Sequence, residues 1–587
     1  MVVASLEHSN AKEDLTMKKY IKYVVIVLAA AFISVGCAQF DDMNKNPYVV
    51  YETNSESFVQ PMLYGAQKQI ASCEYGWMGE IMQYVINTNF ENSAQLAYNY
   101  VLSESYTNYM WNLYTQFGNA QYMLALARKE CEKPEGNPAM IGVALILRSW
   151  IGHMLTDTYG NVPYSKAGLI ALQGDEFEYT TPYDRQKDIY IDLLRSLEEA
   201  NACFAKAAEM KDSGALSTID FNAICDFMYE GNIDKWRRFG NALYLRLLMR
   251  ASNKAMEESE GIISLGEEFG DINVVAKINE LYDCYLSGNG DYPIMRNIDD
   301  SARVQFSSKD SALYTPFYST TSGNWNGKAA CSTLVDWMLV NYKSADEANC
   351  EWDPRYFRYF TKAFGAPTQE SREYLREYFD TKLSSAGNSL IGRYPKGGFT
   401  GTHVGDLKMD CAYAILNYDE ILFIFAEAGA RGWIPMGQKG FKDIYLEANR
   451  QSILQWQVGW ERTTDYYTAS SPEVINWINY LDNEFNYNNA IETIMRQKYV
   501  ATFWVGIESW ADYRRTGYPV LRTNGPAAQN KGILPTRLRY PSTEAFQNAK
   551  WHTEALNDWL GGENNMTTDM WWASTSESQA IRRLGRK

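Results

Sequence analysis

A mainly α-helical chain is predicted, with helix hairpins stacked into an α-α superhelix and long irregular loops forming a ligand-binding face. Three observations predict it. Apolar residues recur at helical spacing through most of the chain. Asn417–Trp433 and Gln438–Leu454 have the length and the small residues (Ala426, Gly429, Ala448) of a degenerate tetratricopeptide repeat. Periodicity then fades between about 260 and 405, where Gly, Asn, Ser and Tyr accumulate, as in SGNGDYPIMRN and STTSGNWNGKAA. Loops of that length are usually functional. No domain-scale linker is visible, so residues 37–587 are expected to form one α-rich domain built on repeated hairpins.

The elements follow in order. Glu56 to Ser72 predicts a helix with Phe58, Met62, Leu63, Ala66 and Ile70 inward, and Tyr106 to Lys129 predicts another. Asn137 can cap the next helix, and Pro138 suits its first turn. That helix is apolar on nearly every side, which predicts deep burial, with His153 a satisfied core residue. Gly160 should end it in a left-handed conformation, and Asn161–Tyr164 should run extended into Pro163. Further helices are predicted at Asp184–Ala208, Phe221–Gly231 and Asp234–Lys254, the last with Arg237, Arg246 and Arg250 toward its outer face. Helices resume with the repeat-like pair and close with Ala490–Pro519, where Arg514 and Arg515 are placed to satisfy C-terminal carbonyls. The tail from Leu521 reads as loop-rich.

The N-terminus carries an address. Lys18, Lys19 and Lys22 precede an apolar run from Tyr23 to Val35, and Gly36-Cys37 follows at once. That is the layout of a lipoprotein signal peptide over 17–36, with Cys37 as the lipidation site; the run is short for a membrane-spanning helix. Met17 is the expected start, and residues 1–16 an over-called extension. A multiply acylated cysteine would anchor the chain to a membrane.

Composition excludes several functions. A net charge of −16 argues against nucleic acid as a partner. Nine scattered cysteines include no CxxC and are expected to be mostly free and buried. The four histidines show neither HExxH nor HxH spacing, so no metal or catalytic site is predicted. Gly323–Ala329 reads GxxxGKA, which lacks both the spacing and the hydroxyl of a phosphate loop. Asp291, Asp299 and Asp300 lack the alternating spacing of a calcium loop. No cofactor is expected. A glycoside hydrolase with two paired carboxylates stays open as an alternative. Aromatic content of 14%, with 42 Tyr and 17 Trp, fits a large helical core or a surface that stacks on sugar rings.

Several segments resemble one family. LTDTYGNVPYSKA (Leu155–Ala167), KWRRFGNALYLRLLMR (Lys235–Arg250), AEAGARG (Ala426–Gly432), RQKYVATF (Arg496–Phe503), ESWADYRRTGYP (Glu508–Pro519) and LPTRLRYPSTE (Leu534–Glu544) resemble, in order, the blocks of SusD/RagB-like outer-membrane nutrient-binding lipoproteins. FDDMNKNPY (Phe40–Tyr48) resembles the opening of the SusD-like branch, and Asp41-Asp42 resembles its surface-export signal. The resemblance implies four tetratricopeptide-like helix pairs as scaffold and a lid-like position on a SusC-like TonB-dependent barrel. It also implies a surface-exposed outer-membrane location and binding of glycans, or peptides in some branches, without enzymatic activity. Family binding faces use aromatics and amides of the N-terminal loops and the irregular middle. Here that points to Trp77, Phe90, Asn92, Tyr98, Tyr292 and Trp325, whose rings and amides suit sugar C–H faces and hydroxyls.

Overall fold

Helix-forming periodicity translates into long helices wherever it was strong. The computed structural model describes residues 53–87, 100, 102–173, 178–306, 328–340, 351–359, 411–455, 467–521 and 533–584. The expected signal peptide, Cys37, the Phe40–Tyr48 segment, Phe90, Asn92, Tyr98 and Trp325 lie outside them. The longer helices are α1 (Val59–Cys73), α2 (Glu104–Trp111), α3 (Tyr114–Cys131), α4 (Pro138–Tyr159), α5 (Gln186–Asp212), α6 (Ile233–Ser259) and α7 (Val274–Ser287). They continue with α8 (Ser332–Met338), α9 (Tyr418–Ala430), α10 (Gly437–Leu454), α11 (Pro472–Asn483), α12 (Ala490–Ala501), α13 (Gly506–Thr516) and α14 (Ala549–Trp559). Strands are short and paired two by two. One pair joins β1 (Ala302–Phe306) to β2 (Cys411–Leu416) antiparallel, with an irregularity between Ala414 and Leu416.

Consecutive helices pack as hairpins, α3 on α4, α5 on α6, α9 on α10 and α12 on α13, and successive pairs stack through α4 on α5 and α9 on α6 and α12. The result is the α-α superhelix. Small residues let the hairpins close. A Cβ on Gly429 of α9 would lie 2.6 Å from Met436 Sδ and 2.8 Å from Phe441 Cβ, so the turn into α10 fits only a glycine. Helix α4 is the centre. Asn137 accepts from the Ala139 N–H, Pro138 occupies the first turn, and every residue except Ile141 is buried. By length and composition α4 could cross a membrane, but its surroundings are protein.

Gly160 ends α4 as expected, although not in the left-handed helical region. Its φ of +88° with ψ of −120° is open essentially to glycine alone. The expected helix at Tyr106–Lys129 is two helices, broken at Asn112 and Leu113. The expected helix at Phe221–Gly231 is only a short turn, Ala223–Cys225. The buried Asp226 carboxylate accepts from the N–H groups of Met228, Tyr229 and Gly231 and from Trp236 Nε1. A local acceptor of that kind offers the backbone an alternative to helix. The tail holds α14 rather than loop alone. Cys73 and Cys284 are free and buried, Cys331 is buried, and the free Cys131, Cys203 and Cys225 are partly exposed.

Candidate ligand-binding site

The segments that carried the resemblance converge on one buried charge network. Arg246 and Arg250, expected on an outer face of α6, are both almost fully buried. Apolar spacing could not reveal that acids on other helices meet them. Arg246 donates to both carboxylate oxygens of Glu420, at 2.8 and 2.6 Å, and to Glu508. Arg250 pairs with Asp157 of α4 and Glu508 of α13. Arg515 forks onto Glu427 of α9 with two contacts of 2.6 Å and also reaches Asp512, rather than serving C-terminal carbonyls. Arg431 adds a second cation to Glu427, and Lys498 of α12 pairs with Asp512 at 2.7 Å. Five carboxylates thus meet five cations (Arg246, Arg250, Arg431, Lys498, Arg515) in the interior. His153 is fully buried beside them, its Nδ1 3.2 Å from the Ser149 carbonyl and its Nε2 3.6 Å from Glu508. Arg514 does serve carbonyls, those of Asp157 and Thr536, while its guanidinium lies 3.6 Å from the Trp510 ring centre.

These charges set a pH dependence. Burial pushes Glu427, Glu508 and Asp512 upward, but their arginine and lysine partners outweigh it and hold all three below the usual carboxylate range. Their stabilisation is present above ordinary carboxylate pKa values and disappears as pH falls through the depressed ones. Two other buried carboxyls run the opposite way. Burial raises Glu74, which accepts from the Ile507 N–H at the start of α13, to about 7, and raises Asp419 to about 6. Each costs nothing below the ordinary carboxylate pKa; the cost grows as pH rises from there to the folded value and levels off above it at on the order of 3 kcal/mol. Stability is therefore expected to peak near pH 5, fall toward pH 7 and decline again below pH 4, which urea midpoints measured from pH 3 to 8 will show.

Of the expected ligand residues, two lie among the described residues. Trp77 is a correction: it is wholly buried, edge-to-face against Trp510 at 6.1 Å, so it offers no ring face to solvent. Burial within a π-helical turn, Glu74–Met78, is invisible to composition. Tyr292 is half-buried; its hydroxyl donates to Glu198 at 2.6 Å and Lys277 sits 4.2 Å from its ring centre. The structure does not bring these two together into a site. Asp300, read as a weak calcium candidate, instead accepts from Arg238 and from the Arg296 N–H.

A cleft of about 390 Å³ opens elsewhere, between α8, α10, α11 and α12. Helix α11 was not anticipated, although Ser471-Pro472 and the spacing of Val474, Trp477, Ile478 and Leu481 signal it. Trp337 lines one side, held edge-to-face on Tyr499 at 5.1 Å, with the Arg496 guanidinium 5.5 Å from its ring centre. Tyr480 lines another, stacked on Trp477 at 5.2 Å. Glu492 lies in the first turn of α12 and pairs with Arg496 at 2.6 Å. Asn489 precedes that helix without capping it through its side chain. The floor is stiff. Gln497 accepts from Arg355 at 2.6 Å, and the buried Arg355 is fixed in turn by Asp353, Asn449 and Ser452. Fixed polar groups beside aromatic rings suit a small polar ligand.

The fold is a helical-repeat scaffold with a cleft between four of its helices. Comparison with known families places it more closely. The SusD-like family described as "Starch-binding associating with outer membrane" matches residues 47–541, and the chain belongs to that family. No curated protein matches the chain. Among solved structures, a SusD homologue from Parabacteroides distasonis aligns at TM-score 0.65 and 19% identity, covering 89% of this chain and 99% of its own. A chitin-binding SusD homologue from Flavobacterium johnsoniae aligns at 0.61 and 19%, with the same coverage. One from Bacteroides fragilis aligns at 0.61 and 20%, covering 88% of this chain and 100% of its own. At these identities the likeness supports the fold.

Proposed function

We propose that the protein is a lipid-anchored, surface-exposed outer-membrane protein that captures an oligosaccharide and delivers it unaltered to a SusC-like TonB-dependent transporter. Membership of the SusD-like family across residues 47–541 is the observation that carries this reading. Chitin binding by similar structures favours a glycan as the cargo. The signal ending at Gly36-Cys37 supports the anchor. Phe90, Asn92, Tyr98, Trp325 and the exposed part of Tyr292 remain proposed ligand contacts.

Expression in a Bacteroidetes host tests the reading. The wild type is expected in the membrane fraction, to co-purify with a large β-barrel and to retain polysaccharide on affinity gels without releasing reducing ends. Cys37→Ala is expected to move the protein into the soluble fraction. A wild type that retains no polysaccharide, or one that cleaves it, would reject the proposal.

A further inference from the structure

We propose that the cleft between Trp337 and α12 is a glycan subsite selective for neutral sugars, taking one or two pyranose units at a time. This rests on the glycan-binding reading above and adds a location and a charge preference to it. The volume, about 390 Å³, lies at the small end of ligand pockets, too small for a long stretch of polymer.

The lining groups fit hydroxyls. Asn486, Asn489, Thr493 and Gln497 present amide and hydroxyl groups, which both donate and accept, and Glu484 and Glu492 accept only. A sugar hydroxyl also does both, so each can be matched. Arg496 also lines the cleft, its guanidinium oriented by donation to Glu492. The Tyr480 and Trp337 rings supply apolar surface for sugar C–H groups.

The charge balance argues against an acidic ligand. Among the described residues, Arg496 is the only cation of the lining, and Glu492 already neutralises it. Glu484 then leaves the cleft net negative. A uronic acid would meet Glu484 without a free partner.

Titration calorimetry on the full-length wild type tests this with named probes. The neutral set is cellobiose, maltose and N,N′-diacetylchitobiose; digalacturonate is the anionic probe and trialanine the peptide probe. A neutral disaccharide is expected to bind about tenfold or more tightly than digalacturonate. Asn489→Ala and Arg496→Met are each expected to weaken it about tenfold, with unchanged circular dichroism and melting. Asn489 is exposed, so its loss leaves the fold intact. Glu484→Gln should narrow the gap to digalacturonate. Disaccharide binding unchanged in both variants, or wild type that retains polysaccharide but binds no disaccharide, overturns the cleft assignment and leaves the glycan reading standing. Preference for digalacturonate or trialanine overturns the ligand class. Wild type that binds neither disaccharide nor polysaccharide overturns both readings.

Discussion

Glu508→Ala is expected to cost about 3–5 kcal/mol of stability, because it takes a shared carboxylate from two buried cations at once. Glu508 is 2% exposed and is shared by Arg246 and Arg250, with His153 alongside. Arg246 keeps Glu420 and Arg250 keeps Asp157, yet each loses the carboxylate that joins α6 to α13. Removing one carboxylate of a buried network leaves desolvated charge only partly compensated, which costs more than the lost pair contributed. Glu508→Gln keeps the shape and one acceptor and should cost less. Chemical denaturation of both variants at pH 5 checks the order. A Glu508→Ala protein within 1 kcal/mol of wild type would mean that the network does not tie these helices together.

Gly160→Ala is expected to cost about 3 kcal/mol or more, by a different route. The residue sits at φ +88°, a conformation L side chains rarely adopt. A Cβ there would lie 1.8 Å from the Trp559 ring, so the indole must leave. That ring now packs 5.0 Å from the Arg537 guanidinium, which also serves the Tyr159 carbonyl. A clash with Trp559 and strain at residue 160 can be separated. In Gly160→Ala/Trp559→Ala the steric part is removed and only backbone strain and a cavity remain, so thermal unfolding should show strong non-additivity. Additive losses would mean that the ring yields without resistance.

Helices and their inward faces were legible where one residue's neighbours in sequence decide its environment. Helix α4 follows from its cap, its proline and its apolar run. The α9–α10 hairpin follows from its spacing and from Gly429. What failed depends on partners far along the chain. Arg246 looks like a surface residue until Glu420, more than 170 positions away, supplies its carboxylate. Asp226 turns an expected helix into a turn through its own side chain. Trp77 carries the composition of a sugar platform and the burial of a core residue. The cleft was missed because it is assembled from α8, α10, α11 and α12, whose lining residues each look unremarkable alone.

Helix α12 works as a party wall. Lys498 faces the interior and is held by Asp512, whereas Glu492, Thr493 and Arg496 front the cleft a turn away. One side is thus committed to architecture by electrostatics, while the other faces the cleft. Side chains on the cleft side can therefore change while the masonry behind them stays put.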